Sequence, residues 1–223
     1  MLNFNELKAL QKTLARRIKF LPLRKIPRLV GGADVSYPCS RFALGAVVIY
    51  DLEKKRVLEE ALAEVEIDFP YVPGFLSFRE VPVLKKVISR LKNLPEVFLV
   101  DGQGVLHPRG LGLASHLGLE IEIPTIGVAK KPLVGDFEPP ADEVGAISPV
   151  YLDGKVKGVV FRSRKGVKPI FVSPGHLIDL PSAIKVVKSC LSGYRLPEPL
   201  RLAHVFSQKA RREYQYLCQE RQN

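Results

Sequence analysis

The order of strand and helix patterns constrains the fold of this chain more than any other feature. Three strand patterns follow one another at residues 29–37, 42–51 and 60–68, with no helical pattern between them. From residue 77 onward, helical and strand patterns alternate. Consecutive strands favour an antiparallel meander, whereas alternation favours helices packed against a sheet. We therefore expect one mixed α/β domain over residues 1–223, a length that can bury a sizeable core.

Residues 60–68 carry two conflicting signals. Their Glu and Ala residues favour a helix, yet apolar residues recur at every second position from Ala61 to Ile67. We predict a strand, because alternation reports burial more directly than intrinsic propensity does. The remaining patterns predict a first helix that is capped by Asn3 and ends before Pro22, helices over 77–92, 110–119, 181–191 and 202–217, and strands over 97–100, 125–129, 150–152, 156–162 and 169–172.

The charge of the chain is large and clustered. There are 34 Lys and Arg residues against 23 Asp and Glu, a net charge of +11. Residues 1–28 hold eight basic residues against Glu6 alone, and residues 155–168 hold six with no acid. Such clusters fit the phosphates of a nucleic acid, but they are equally compatible with solvated helix and hairpin faces.

Hydropathy and cysteine spacing bear on location. No apolar run approaches the ~18 residues of a membrane span, and the basic first residues do not fit a signal peptide. Cys39, Cys190 and Cys218 are far apart and form no C-x-x-C motif. We therefore expect reduced thiols, no membrane association and a cytoplasmic protein.

Three carboxylates stand in apolar surroundings. Asp34 lies within the first strand, Asp101 closes the strand over 97–100, and Glu80 lies just inside a helix. A buried carboxylate is costly unless it is paired or bound to metal. Each acid alone also has a structural explanation. If strands one and four are neighbours in the sheet, however, the three can converge and bind Mg²⁺ or Mn²⁺, which suits phosphate hydrolysis.

The segments around these acids carry a second signal. The loop over 69–76 is stiffened by prolines yet presents Tyr71 and Val72. It can act as a wedge that enters a base stack, or it can plug the core. Gly102 and Gly104 would let a flat base approach the backbone.

Two further residues have both structural and functional explanations. Lys130 follows the strand over 125–129 and can meet a phosphate at the end of a sheet, or it can be solvated. His204 lies on the last helix and can be either a partly buried packing residue or a member of the site.

The longest motifs resemble the endonuclease V family closely. They cover residues 69–80 (FPYVPGFLSFRE), 101–118 (DGQGVLHPRGLGLASHLG) and 123–130 (IPTIGVAK). Residues 32–36 (GADVS), 173–176 (SPGH) and 195–204 (RLPEPLRLAH) match as well, so that the resemblance spans nearly the whole chain. It implies a ribonuclease H-like mixed sheet, in which the antiparallel meander is flanked by helices. It also implies DNA repair through Mg²⁺-dependent nicking at deaminated purines, chiefly deoxyinosine.

The resemblance also assigns roles to individual residues. Family enzymes cut the second phosphodiester 3′ to the lesion and leave 3′-hydroxyl and 5′-phosphate ends. Mg²⁺ is the expected cofactor, and Mn²⁺ is expected to support activity as well. The implied catalytic residues are Asp34, Glu80, Asp101, Lys130 and His204, of which Asp34, Asp101 and Glu80 are the metal ligands. The implied strand-separating wedge is Pro70, Tyr71, Val72 and Pro73, and the implied base pocket is Gly74, Leu76, Gly102, Gly104, His107 and Leu133.

Two alternatives stay open at this point. The same fold can cut inosine in RNA, and the sequence does not separate the two substrates. A non-catalytic nucleic-acid-binding module would be expected to lack one or more of Asp34, Glu80 and Asp101, and all three are present. We expect a monomer whose partner is DNA that contains deoxyinosine.

Overall fold

A computed structural model describes the backbone of residues 3–220 and the side chains of residues 3–215. Its centre is a nine-stranded mixed sheet in the order β3-β2-β1-β4-β5-β9-β8-β7-β6. The strands are β1 (Leu29–Cys39), β2 (Phe42–Asp51), β3 (Arg56–Glu66), β4 (Val97–Asp101), β5 (Thr125–Ala129), β6 (Asp136–Phe137), β7 (Ile147–Leu152), β8 (Lys155–Phe161) and β9 (Ile170–His176). The helices are α1 (Phe4–Ala15), α2 (Leu76–Ile88), α3 (Leu113–Ile121), α4 (Leu180–Ser189) and α5 (Glu198–Glu220). The predicted mixed α/β fold is therefore confirmed.

Both faces of the sheet are covered, because its central strands are apolar on both sides. In β4, Val97 and Leu99 pack with residues of α4 and α5, whereas Phe98 and Val100 pack with residues of α2 and α3. Strands β1, β4 and β5 run parallel, and β1, β2 and β3 form the predicted antiparallel meander. Parallel strands of this kind are found where helices cover both faces. The strand predicted over 60–68 is thus confirmed for residues 60–66, since β3 begins at Arg56 and ends at Glu66.

The first helix is shorter than predicted. Asn3 caps it as expected, because its side-chain oxygen accepts hydrogen bonds from the backbone of Asn5 and Glu6. The helix ends at Ala15, however, well before Pro22. The carbonyls of Lys19 and Leu21 accept instead from the backbone N–H groups of Leu177 and Asp179. The helical spacing of Leu7, Leu10, Leu14 and Ile18 predicts a helix that includes Ile18. Beyond Ala15, bonds to a distant segment take the place of helical bonds.

The other boundaries differ by smaller amounts. Helix α3 begins at Leu113 and not at residue 110, because Gly110 has a positive φ of 69°. Strand β9 continues to His176, and the segment over 132–149 contains the short strand β6. No helix among residues 3–220 is long and apolar enough to cross a membrane. The single domain over residues 1–223 stays a prediction, as does the reduced state of Cys218, whose side chain lies outside the described residues.

Candidate active site

The carboxylates of Asp34 and Asp101 meet because their strands are parallel neighbours. Ala33 of β1 is in register with Val100 of β4, so that the next residues, both aspartates, lie side by side. Strands β1 and β4 are therefore neighbours, which is the condition under which the sequence predicts that the acids converge. Oxygen atoms of these two aspartates and a ring nitrogen of His204 all lie within 4.8 Å of one another.

His204 reaches this pair from α5. Its Nδ1 lies 3.1 Å from Asp34 Oδ2. Gly32 makes the approach possible, since a Cβ there would lie 2.0 Å from the Pro199 carbonyl oxygen at the start of α5. The hydrogen bond to the Asp34 carboxylate raises the pKa of His204, with the negative charge of Asp34 acting in the same direction. The imidazole therefore belongs to the carboxylate cluster and is not a packing residue alone.

Glu80 lies beside the cluster on α2 and is buried. The Tyr37 hydroxyl donates a hydrogen bond of 2.7 Å to Glu80 Oε1. Burial raises the pKa of Glu80 to about 8, and the charges of Asp34 and Asp101 add to that rise, while the hydrogen bond from Tyr37 opposes it. The negative charges of both aspartates thus act on Glu80. Glu80 is nevertheless not one of the three residues whose ligand atoms lie within 4.8 Å of one another.

Two cationic side chains border Asp101. Lys130 follows β5, and its Nζ lies 2.5 Å from Asp101 Oδ2. Arg195 donates from Nη2 to the Lys130 carbonyl at 2.6 Å and to the Pro169 carbonyl at 3.0 Å. Burial raises the pKa of Asp101, whereas the Lys130 charge lowers it. Sequence reasoning placed Lys130 at this end of the sheet but missed Arg195, because nothing local marks which carbonyls that side chain reaches.

The chemistry of the donors fits a divalent cation. The two carboxylates, with a third acid adjacent, provide the oxygen ligands that Mg²⁺ and Mn²⁺ prefer, and the imidazole lies within 4.8 Å of both. Their burial matters as well, because carboxylates in apolar surroundings are costly to ionise without a counter-charge. Lys130 supplies part of that counter-charge, and a bound cation would supply the rest.

A cavity of about 110 Å³ opens near this cluster. Four of the six predicted pocket residues line it, namely Gly74, Leu76, His107 and Leu133. Gly102 and Gly104 are not among its lining residues. The Gly104 backbone faces β9 instead, where its N–H donates to Ser173 Oγ at 2.9 Å and a Cβ would lie 2.0 Å from the Pro174 carbonyl oxygen. The structure thus separates these two glycines from the other four residues.

The cavity has walls that the sequence did not indicate. Gln103, Leu111 and Leu113 line it, as does Ser77. Gln103 lies between the two glycines, so the same motif could have pointed to it. The cavity and the carboxylates also share their supports, because Leu76 and Glu80 lie on α2 while Gln103 follows Asp101 by two residues.

The loop over 69–75 forms the outer rim of this cavity. Pro70, Tyr71 and Pro73 are exposed and Val72 is half-buried, and the Tyr71 side chain is 67% exposed. Tyr71 and Pro73 line the cavity, whereas Phe75 is buried. The tip of the loop therefore projects outward and does not plug the core. Its apolar side chains are accessible to another molecule.

Comparison with known proteins gives concordant results. The family model described as Endonuclease V matches residues 12–205. Endonuclease V of Dictyoglomus thermophilum is 42% identical over 209 residues, which is 94% of this chain and 91% of the relative. The crystal structure of Endonuclease V from Streptomyces avermitilis superposes with a TM-score of 0.89 at 38% identity, covering 96% of this chain and 95% of that one.

Some of the similar solved structures contain nucleic acid. Endonuclease V of Ciona intestinalis was crystallised with a 24mer DNA containing an inosine followed by a ribo-adenosine. Its TM-score with this chain is 0.81 at 30% identity, and the match covers 94% of this chain and 98% of that one.

Proposed function

Because this chain belongs to the endonuclease V family and is therefore a nuclease, we propose that it repairs DNA by nicking strands that contain deoxyinosine. The cut falls at the second phosphodiester 3′ to the deaminated purine, and it requires Mg²⁺ or Mn²⁺. The observation that carries the proposal is the cluster of Asp34, Asp101 and His204 beside a cavity bordered by an exposed loop. The binding of inosine-containing DNA by the Ciona relative supports the choice of substrate.

The carboxylates form the cleavage site. Asp34, Asp101 and Glu80 would hold the cation, with the His204 ring within reach of the same position. A bound divalent ion would supply Lewis acidity and lower the pKa of a water molecule. Hydrolysis adds this water across the bond between phosphorus and the 3′ oxygen. The hydroxyl goes to phosphorus and a proton goes to the 3′ oxygen, so that the products carry a 5′-phosphate and a 3′-hydroxyl.

The cationic and polar neighbours orient this chemistry. Lys130 Nζ, at 2.5 Å from Asp101, is placed to contact a phosphate oxygen next to the carboxylates. His204 donates from Nδ1 to Asp34 and fixes the orientation of that carboxylate, while Tyr37 does the same for Glu80. Preorganised charges of this kind act mainly on the charge that develops at the phosphate.

Lesion recognition is assigned to the cavity and its rim. Pro70, Tyr71, Val72 and Pro73 separate the strands at the lesion, and the extruded hypoxanthine enters the cavity lined by Gly74, Leu76, His107 and Leu133. Gln103 replaces Gly102 and Gly104 as the contact from the Asp101 motif. The monomeric state and the cytoplasmic location stay predictions.

The first experiment is a nicking assay with Asp101→Ala. We expect the variant to lose at least about 1000-fold in rate on an inosine-containing duplex while it keeps most of its affinity for that duplex, because the cleavage groups are separate from the cavity. Asp136→Ala, at an exposed acid on β6, is the matched control. Full activity in Asp101→Ala would contradict the metal assignment, and activity of the wild type in excess chelator would contradict the metal requirement.

Cleavage of inosine in RNA is the second candidate function. The nucleic acid bound by the Ciona relative carries a ribonucleotide directly after the inosine. Rates on matched DNA and RNA strands, each containing inosine, uracil or xanthine, separate the two substrates. A faster cut in RNA would reassign the chain to RNA processing without changing the chemistry.

A further inference from the structure

The carbonyl oxygen of Gly74, at the base of the exposed loop, accepts three side-chain hydrogen bonds. Gln11 Nε2 donates at 3.0 Å, Arg109 Nη2 at 2.6 Å and His107 Nε2 at 3.1 Å. A carbonyl oxygen has two lone pairs, so three donors occupy it fully.

The His107 ring can donate in only one tautomer, and a neighbour selects it. The backbone N–H of Arg109 donates to His107 Nδ1 at 3.2 Å, so that Nδ1 is an acceptor and the proton of the neutral ring lies on Nε2. Burial and the Arg109 charge lower the pKa of His107 to about 4, which keeps the ring neutral at pH 7. His107 therefore supports Gly74 as a donor.

Gln11 is the one buried residue of α1, and both halves of its amide are used. Its nitrogen donates to Gly74, and its oxygen accepts from Arg109 Nε. The Arg109 guanidinium in turn lies over the Phe75 ring, 4.6 Å from its centre, and Phe4 of α1 contacts the same ring. The first helix thus holds the loop through one amide and one ring contact, and Arg109 contacts both Gln11 and Phe75.

A buried glutamine could serve only to dock the helix, but the hydrogen-bond partners of Gln11 indicate a second role in holding the loop. An apolar residue would dock α1 without leaving polar groups to satisfy. Gly74 and His107, by contrast, both line the cavity, and Gly74 has a positive φ of 79° that fixes where the loop turns.

We propose that Gln11 is a positioning residue for lesion recognition. It clamps the loop over 69–75 to α1 through the Gly74 carbonyl. The clamp sets the width of the cavity before nucleic acid binds, and a preordered loop loses less entropy on binding. This inference rests on the proposed function, since the loop and the cavity are the groups assigned to the lesion.

The test compares Gln11→Met, Gln11→Glu and Thr13→Ala. Methionine keeps the length of the side chain and removes both hydrogen bonds. Glutamate still accepts from Arg109 but cannot donate to Gly74, and it serves as a second variant should Gln11→Met fold poorly. Thr13 is exposed on the same helix, so Thr13→Ala controls for general effects on α1.

For Gln11→Met and Gln11→Glu we expect the KM for an inosine duplex to rise about tenfold, as the loss of a buried hydrogen bond implies, with kcat nearly unchanged. The preference for inosine over an unmodified duplex should fall by a similar factor. A structural role alone would reduce the active fraction, which lowers kcat on every substrate and leaves the preference unchanged. That pattern, or wild-type kinetics in both variants, would overturn the inference.

Hydrogen exchange provides a readout that does not depend on cleavage. In both Gln11 variants the backbone amides of the non-proline residues over 70–76 should exchange faster, while those of β4 and of the Thr13→Ala protein stay unchanged. Unchanged exchange in the loop would refute the clamp. If the wild type shows no preference for inosine, the proposed function fails, and the exchange result still decides whether Gln11 holds the loop.

Discussion

At the scale of single residues, Glu80 shows how burial changes chemistry. Its carboxyl is enclosed by α2 and the sheet, with Asp34 and Asp101 close by, and its pKa rises to about 8. Below that pH, the metal-free protein holds Glu80 protonated. A cation that binds there must displace this proton, so metal binding and proton release are coupled.

This coupling predicts a pH-dependent effect of Glu80→Gln. A carboxyl whose pKa is raised on folding stabilises the protein fully below its unfolded value of about 4.5, and the contribution is lost as pH rises through about 8. In excess chelator, the melting temperature of Glu80→Gln should therefore increasingly exceed that of the wild type from pH 5 to pH 9. Glu143→Gln, at an exposed position, should show no such trend.

Added Mg²⁺ extends the same experiment. If Glu80 is a ligand, Mg²⁺ should raise the melting temperature of the wild type at pH 8 more than that of Glu80→Gln. A difference between the two proteins that does not vary with pH would contradict the buried carboxyl, and equal stabilisation by Mg²⁺ would contradict its role as a ligand.

At the scale of elements, the sheet and the loop over 69–75 contribute differently. The parallel pairing of β1 with β4 fixes the acids rigidly, whereas the loop extends from the sheet and is held by side chains of α1 and the segment after β4. Two of the proposed metal ligands, Asp34 and Asp101, thus lie on strands, whereas the proposed wedge lies on a loop. Loops tolerate variation better than strands do, so lesion preference can change without disturbing the acids.

Tyr71 lies at the exposed tip of the loop over 69–75. Tyr71→Ala should lower the preference for inosine over unmodified duplex about tenfold, since stacking on an aromatic ring contributes about 1–3 kcal/mol per base. The Mg²⁺ concentration for half-maximal activity should not change, because Tyr71 does not border the carboxylates. Tyr151→Ala, at another exposed tyrosine, is the control. An unchanged preference would argue against the wedge.

At the scale of the whole molecule, part of the +11 charge is concentrated where the substrate would lie. The loop between β8 and β9 contains Arg164 and Lys165, both exposed. Arg195 ties its end to the site by donating to the carbonyls of Pro169 and Lys130. The loop therefore lies at the edge of the sheet where Lys130 meets Asp101, which favours contact with phosphates over simple solvation.

Salt dependence tests this arrangement. Replacing Arg164 and Lys165 together by alanine should reduce the slope of log affinity against log salt by about 2, since each phosphate contact contributes about 0.9. Lys54→Ala with Arg56→Ala removes the same charge from the turn between β2 and β3 and from the first residue of β3, at the opposite end of β1. An equal change in both double variants would mean that net charge, and not the position of this loop, governs binding.

Most of the secondary structure could be predicted from the sequence, for a local reason. Strand alternation and helical spacing depend on which face of a segment is buried, and that information is carried by neighbouring residues. Strands β2 and β5 begin and end where predicted. The prediction was wrong where bonds to distant segments compete, as at residues 16–22, where the chain pairs with residues 177–179.

Residue types in fixed local order were enough to identify the family, most of the helices and strands, and the acids proposed for the chemistry. Only the tertiary structure decided which groups meet. It brought His204 to Asp34, turned Gly104 toward β9 and away from the cavity, and placed Gln11 under Gly74. Each of the bonds that hold these groups joins residues more than 60 positions apart, a distance over which no sequence periodicity operates.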